Sequence, residues 1–178
     1  MSTSTDETQW TIRDLDPDEG PRLGELLVDV YSRLPGFPGP GDQPAYYDML
    51  RGIGAFAGRP AVRVLVAAAD RRLAGGVVYF GDMAQYGAAG IAPTIRDASG
   101  IRLLGVDPDL RGHGIGQRLT RHCIDLARAA GHAEVILHTT RAMQAAWALY
   151  ERLGFRRAEE LDFMQQSLPV FGFRLGLR

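Results

Sequence analysis

The sequence predicts an α/β fold, and three observations carry that prediction. Segments with strand-type alternation or β-branched runs take turns with segments striped every third or fourth residue over residues 10–178. Two valine-rich runs, 61–69 and 73–80, are joined by the short Asp70-Arg71-Arg72 and read as a hairpin. An apolar run, 101–106, leads through the glycine-rich VDPDLRGHGIG (106–116) directly into a striped helix.

Taken in order, residues 10–15 alternate as a strand. Asp16-Pro17-Asp18-Glu19 then supplies a capping residue, a proline at the first helical position and a carboxylate at the third. Leu23, Leu26, Leu27, Val30 and Leu34 recur at helical spacing, and PGFPGPGDQP (35–44) stops that helix. A second helix is predicted over 44–57, before the hairpin. Residues 81–99 show neither period, and a connection that long inside a compact domain usually has a task. After the 101–106 strand, Ile115, Leu119, Cys123, Leu126 and Ala130 stripe a helix whose other face carries Arg118, Arg121, Asp125 and Arg128. Gly131 ends it. A short strand, 133–138, is followed by a helix striped by Ala142, Ala145, Ala146, Leu149 and Leu153. Residues 155–165 make a weak strand pattern, whereas Phe171, Phe173, Leu175 and Leu177 alternate cleanly on one face. One domain over 9–178 is expected, preceded by a polar, disordered N-terminus at 1–8.

Composition narrows the function. With 46% hydrophobic and 23% charged residues the 178-residue chain is ordinary globular material. A net charge of -1, with no clustered arginines, offers no field for a polyanion, so no nucleic-acid partner is expected. The first eight residues, MSTSTDET, carry no basic-then-apolar pattern and the longest apolar run, 61–69, is broken by Arg63, so neither an export signal nor a membrane span is expected. Cys123 is the only cysteine, which excludes an internal disulfide and any multi-cysteine metal site; no metal is expected, and a reducing cytoplasm fits. All twenty basic residues are arginine, so a Walker-type phosphate loop and a pyridoxal Schiff base, which both need lysine, are excluded.

The 106–116 stretch is the chemical feature. Pro108 ends the strand, and Gly112, Gly114 and Gly116 can adopt backbone angles that let successive N–H groups converge on one anion. The helix beginning near Ile115 adds the positive end of its dipole, so a diphosphate is the natural ligand. A dinucleotide fingerprint fails, because its third glycine would fall at Gln117 and the nearest candidate for a ribose-binding acid, Glu134, lies at the start of its strand. A glycine-rich turn serving only to reverse the chain is the bland alternative.

Arg111-Gly112-His113-Gly114-Ile115-Gly116 resembles the coenzyme A loop of the GCN5-related N-acetyltransferases, whose pattern is Gln or Arg, two residues, Gly, one residue, Gly or Ala. Ala146, Leu149, Tyr150, Glu151, Leu153, Gly154 and Phe155 resemble that family's second signature, and the element order over 10–178 is similar. The resemblance implies a mixed, mostly antiparallel sheet in which strands 101–106 and 133–138 run parallel and splay apart, flanked by helices. It implies acetyl-CoA in that gap, held at its pyrophosphate by the amides from Arg111 to Gly116. The main chain of Leu104, Gly105 and Val106 would pair with the pantetheine arm. Met143 and Gln144 are placed at the coenzyme too, Met143 standing where the family often has asparagine. Tyr150 falls near the sulfur.

These residue types suit amine acetylation. A neutral amine attacks the thioester carbonyl, a backbone N–H near Val106 stabilises the oxyanion, and the departing thiolate needs a proton that Tyr150 can give. An alkylamine of pKa about 10.4 is largely protonated at neutral pH, so a base is wanted. His138, ending the second parallel strand on the coenzyme side, is the candidate, with a solvated or capped strand-end histidine as the other reading. Cys123 on the apolar stripe reads as core, and His113 and His122 as exposed. Glu159, Glu160 and Asp162 read as a solvated strand or as a site for a cationic acceptor. The loops 35–44, with Phe37, and 81–99, with Tyr86, are expected to wall the amine site or to form the contact of a homodimer. An acyl-CoA sensor that transfers nothing, and a partner-binding domain that has lost the ligand, remain open.

Overall fold

A computed structural model describes residues 8–178. The disordered terminus expected over 1–8 lies, Thr8 apart, outside the described residues. The strands are β1 (Thr11–Asp14), β2 (Val62–Ala69), β3 (Arg72–Phe80), β4 (Ala98–Val106), β5 (Glu134–Thr139), β6 (Arg156–Arg157), β7 (Phe163–Gln165) and β8 (Leu168–Gly176). They run in the order β1-β2-β3-β4-β5-β8-β6, with β7 paired to β8. Among the described residues only β4 and β5 pair in parallel; the other pairs are antiparallel. Four helices, α1 (Gly20–Ser32), α2 (Pro44–Arg51), α3 (Ile115–Ala129) and α4 (Gln144–Arg152), cover the two faces.

The alternation of β2 shows how the sequence builds the two layers. Val62, Val64 and Val66 point into a core shared with Leu23, Leu27, Tyr47 and Leu50 of α1 and α2. Leu65 and Ala67, on the alternate positions, point into the opposite core with Ile115, Leu119, Cys123 and Ala127 of α3. Cys123 is fully buried, and burial pushes its thiol far above the ordinary range, so it is core.

Three boundaries differ from the sequence expectation. The second helix ends at Arg51, because Gly52 and Gly54 interrupt it, and continues only as a 3-10 turn, Ile53–Gly58. β4 begins at Ala98 rather than 101: Ser99 looks like loop material, yet it is buried with its hydroxyl 2.8 Å from the Tyr79 hydroxyl and 2.6 Å from His132 Nδ1. The connection before it therefore covers 81–97 and is organised by two 3-10 turns, Met83–Gln85 and Ala92–Thr94. The weak 155–165 pattern resolves into β6, a turn at Glu159–Leu161 and β7.

Candidate functional site

β4 and β5 pair only from Ala98 to Ile101 and from Glu134 to Leu137. Beyond that point β5 leaves, and the stretch 102–106 of β4 has a strand neighbour only on its β3 side. The gap has a local cause. The β3–β4 register passes from Val78/Arg102 to Gly76/Gly105, so Leu103 and Leu104 together face the single Val77. This is a β-bulge, and it holds Leu103 at φ 61, a left-handed conformation that leucine rarely adopts. The bulge bends β4 at the place where it parts from β5.

α1 closes over the bulge from one face. A Cβ at Gly105 would lie 2.5 Å from Leu27 Cδ2, so any larger residue there would force the buried Leu27 side chain aside. That approach brings Tyr31, one helical turn past Leu27, to donate its hydroxyl to the Leu104 carbonyl at 2.8 Å. The sequence reading passed over Tyr31, although Leu23, Leu27 and Tyr31 share the i, i+4 spacing of the buried stripe.

A cavity of about 790 Å³ runs through this gap. One end is formed by the loop before α3. Gly112 and Gly114 both have positive φ, 83 and 73, and nothing lies within 4 Å of where their Cβ atoms would be. Gly114 caps the N-terminus of the fifteen-residue α3, so free N–H groups and the helix dipole both face an open, side-chain-free surface. Leu104, Gly105, Val106, Arg111, Gly112, Gly114, Ile115, Gly116, Met143, Gln144, His138 and Tyr150 all line the cavity. His113 does not: its Nδ1 turns back to the carbonyls of Leu110 and Arg111, at 3.0 and 3.3 Å.

Tyr150 is 5% exposed, its ring edge-on to Phe155 at 5.8 Å. Among the described residues its hydroxyl has no hydrogen-bond partner, and it lines the cavity. Burial, with smaller effects of Tyr86 and Cys123, pushes the phenol well above its usual value, so it stays protonated.

His138 sits differently from the free base expected of it. Its Nε2 lies 2.8 Å from the Leu161 carbonyl, which can only accept, so Nε2 carries the proton. Nδ1 therefore presents a lone pair to the Tyr86 hydroxyl, which donates at 2.8 Å. Both ring nitrogens are engaged, Nδ1 by the hydroxyl of Tyr86, itself fully buried in the 81–97 loop. Burial holds the imidazole below its ordinary pKa, aided by Arg102 and opposed by the Leu161 carbonyl and Asp162.

That lowered value predicts a pH dependence. As pH falls below about 6.5 the unfolded chain takes up this proton before the folded one, so His138 favours folding above that pH and weighs against it below. Melting temperatures measured from pH 8 down to about 5 should decline, and His138→Gln, which cannot titrate, should flatten the decline. Parallel curves for the two proteins would place the titration elsewhere.

The other end of the cavity is aromatic. Phe37 packs between Tyr31 and Tyr46, at ring-centroid distances of 5.6 and 5.7 Å, and Phe163 stands edge-on to His138 at 5.0 Å. Gln165 of β7 hydrogen-bonds the buried Gln43, tying the 35–44 loop to the β7–β8 hairpin. Both long loops thus contribute side chains to one wall. The acidic cluster does not: Asp162 is held by Arg157 at 2.9 and 2.8 Å and by the Gly172 N–H at 2.7 Å, Glu160 pairs with Arg174 at 2.9 Å, and neither they nor Glu159 line the cavity.

Comparison with known proteins agrees with this geometry. A family model described as acetyltransferase (GNAT) family matches residues 26–155. N-acetyltransferase 8B of Homo sapiens is 37% identical over 73 residues, 40% of this chain and 32% of that protein. The chain spans less than half the length of the curated relatives it matches. A GNAT-family acetyltransferase of Staphylococcus aureus Mu50 superposes with a TM-score of 0.73 at 16% identity, covering 96% of this chain and 100% of that one. The PaiA N-acetyltransferase of Thermoplasma acidophilum, solved in complex with coenzyme A, superposes at 0.68 with 16% identity over 92% and 98% of the two chains. At such identities these structures show the shared fold. No helix among the described residues is long and apolar enough to cross a membrane.

Proposed function

The chain belongs to the acetyltransferase (GNAT) family, and on that premise we propose that it is an acetyl-CoA-dependent N-acetyltransferase of primary amines, folded as one domain over 9–178. One observation carries the reading: a single cavity joins an anion cradle at a helix N-terminus, an unpaired strand edge and a buried phenol with a free hydroxyl. The cradle fits the coenzyme, since its positive-φ glycines leave the amides bare and, among the described residues, no aspartate or glutamate lines the cavity. When bound, acetyl-CoA supplies a thioester whose carbonyl an amine attacks and whose thiolate leaves.

The chain's own residues divide the work. The amides from Arg111 to Gly116 hold the pyrophosphate, the free edge of β4 at Leu104–Val106 receives the pantetheine arm, and Met143 and Gln144 flank it at the start of α4. The β4 main chain next to the bulge donates to the developing oxyanion. Tyr150 gives its proton to the leaving sulfur. The amine proton goes to the Tyr86 oxygen as Tyr86 passes its own proton to His138 Nδ1, which accepts it while Nε2 stays bonded to Leu161. A single buried cysteine suits a reducing cytoplasm.

The test is release of free thiol from acetyl-CoA in the presence of a panel of primary amines. Amine-dependent release is expected. Coenzyme binding without release for any amine would favour the sensor reading, and failure of acetyl-CoA to raise the melting temperature would leave a partner-binding domain.

The 81–97 loop offers a second check. Replacing residues 84–97 by a tight turn removes Tyr86 from the wall and from the proton route, and should raise the acceptor KM several-fold and lower kcat while the coenzyme Kd holds. An unchanged KM with altered oligomeric state would instead make the loop the contact of a homodimer.

A further inference from the structure

Among the described residues, the charged ones that line the cavity are all basic. Arg111, Arg141 and Arg152 stand around the cradle and α4, where a coenzyme's phosphates belong. Arg102 is set apart. It lies on β4 immediately past the last β4–β5 pair, at the aromatic end, with its guanidinium 5.7 Å from the Tyr86 ring.

Its bonding within the chain is sparse. One NH2 group donates to the Tyr86 carbonyl at 2.8 Å, and the other meets only the Met49 sulfur at 3.9 Å. Among the described residues Arg102 makes no salt bridge, whereas eleven ion pairs engage other arginines. A guanidinium has five N–H donors, and holding it half-buried without a carboxylate is unfavourable unless a ligand completes it. Its Nε has no partner among the described residues and is not sealed off, since it is not among the buried unpartnered atoms. A purely cationic acceptor would meet this arginine with nothing to offset the repulsion.

We propose that Arg102 reads an acid group on the acceptor, so that the substrate is an amine that also carries a carboxylate. This rests on the acetyltransfer reading for the word substrate, but binding itself can be measured without it. The Tyr86 carbonyl fixes one side of the guanidinium, leaving its other N–H groups to donate to the carboxylate oxygens while the amine points toward β4.

The experiment uses matched pairs of amino acids and their neutral amides. Calorimetry with coenzyme A present reads binding, and thiol release from acetyl-CoA reads transfer. The acid member of at least one pair should bind 10- to 100-fold more tightly than its amide. Arg102→Gln should erase that preference by weakening the acid only, with coenzyme affinity unchanged, and Arg102→Lys should restore part of it. If no acid is preferred to its amide, or if Arg102→Gln keeps the preference, the proposal is overturned. If acids bind through Arg102 but none is acetylated, the binding site stands and the acetyltransferase reading falls.

Discussion

Replacing Gly114 by valine is expected to weaken acetyl-CoA binding about a hundredfold while the protein stays folded. Two effects add. Gly114 sits at φ 73, where a residue with a Cβ is strained by about 1–2 kcal/mol, and valine, branched at Cβ, more so. The backbone relieves that strain by turning its amides out of convergence. The new side chain also projects into the open surface that the amides face, where nothing lies within 4 Å to clash with it. Because no protein atom is displaced, the loss falls on the ligand. Each charge-assisted hydrogen bond is worth about 1.5–3 kcal/mol, so losing one or two accounts for the factor. A ligand at a hundred times its Kd adds about 2.7 kcal/mol of stability, and at the same concentration the variant would gain only about 0.4. Melting curves with and without acetyl-CoA separate these outcomes. Gly116→Ala is the control: that residue is helical, and its Cβ would meet Leu149 and Val106 side chains at 3.5 and 3.6 Å, ordinary contact. It should bind nearly as the native protein does. A native Kd in Gly114→Val would remove the cradle from the coenzyme.

The loop was legible because its signal is local. Proline after a strand, spaced glycines and a helical stripe from Ile115 need no tertiary information to mean an open helix N-terminus. The two cores were legible too, since each follows from one period. The bulge was not: it exists only in the register of β4 against β3, and nothing about Leu103 alone announces a positive φ. Tyr31 and Arg102 were hidden for the same reason. A tyrosine on a stripe and an arginine on a strand are ordinary until the fold shows which carbonyl one meets and which carboxylate the other lacks. His138 was found by position, at the end of β5, but its engagement by Tyr86 and Leu161 depends on segments 52 and 23 residues away. Ser99 misled in the opposite sense, a polar residue buried by partners that sequence spacing does not reveal.

Tyr150→Phe is expected to lower kcat by about 10²- to 10⁴-fold while stability and the acetyl-CoA Kd stay near native. Stability should hold because the ring contacts, including Phe155, are kept and the removed hydroxyl has no protein partner to orphan among the described residues. Turnover should fall because that hydroxyl carries the only proton the side chain can give to the departing sulfur. Water entering the cavity can replace part of the function, which favours the lower end of the range. The pH profile discriminates further. A phenol in water ionises near 10, and an acid with that value would produce a rate decline on approaching it. Burial raises the Tyr150 phenol, so its acid form persists past pH 10 and the native kcat should hold its plateau there. The raised value does not make Tyr150 a poor donor, since the same desolvated surroundings raise the proton affinity of the thiolate beside it. Stability follows the same sign: the contribution of the neutral phenol is complete below pH 10 and is lost only as pH rises beyond it. A Tyr150→Phe protein with native kcat on a reacting amine would return Tyr150 to the α4 packing and leave the leaving sulfur to be protonated by solvent.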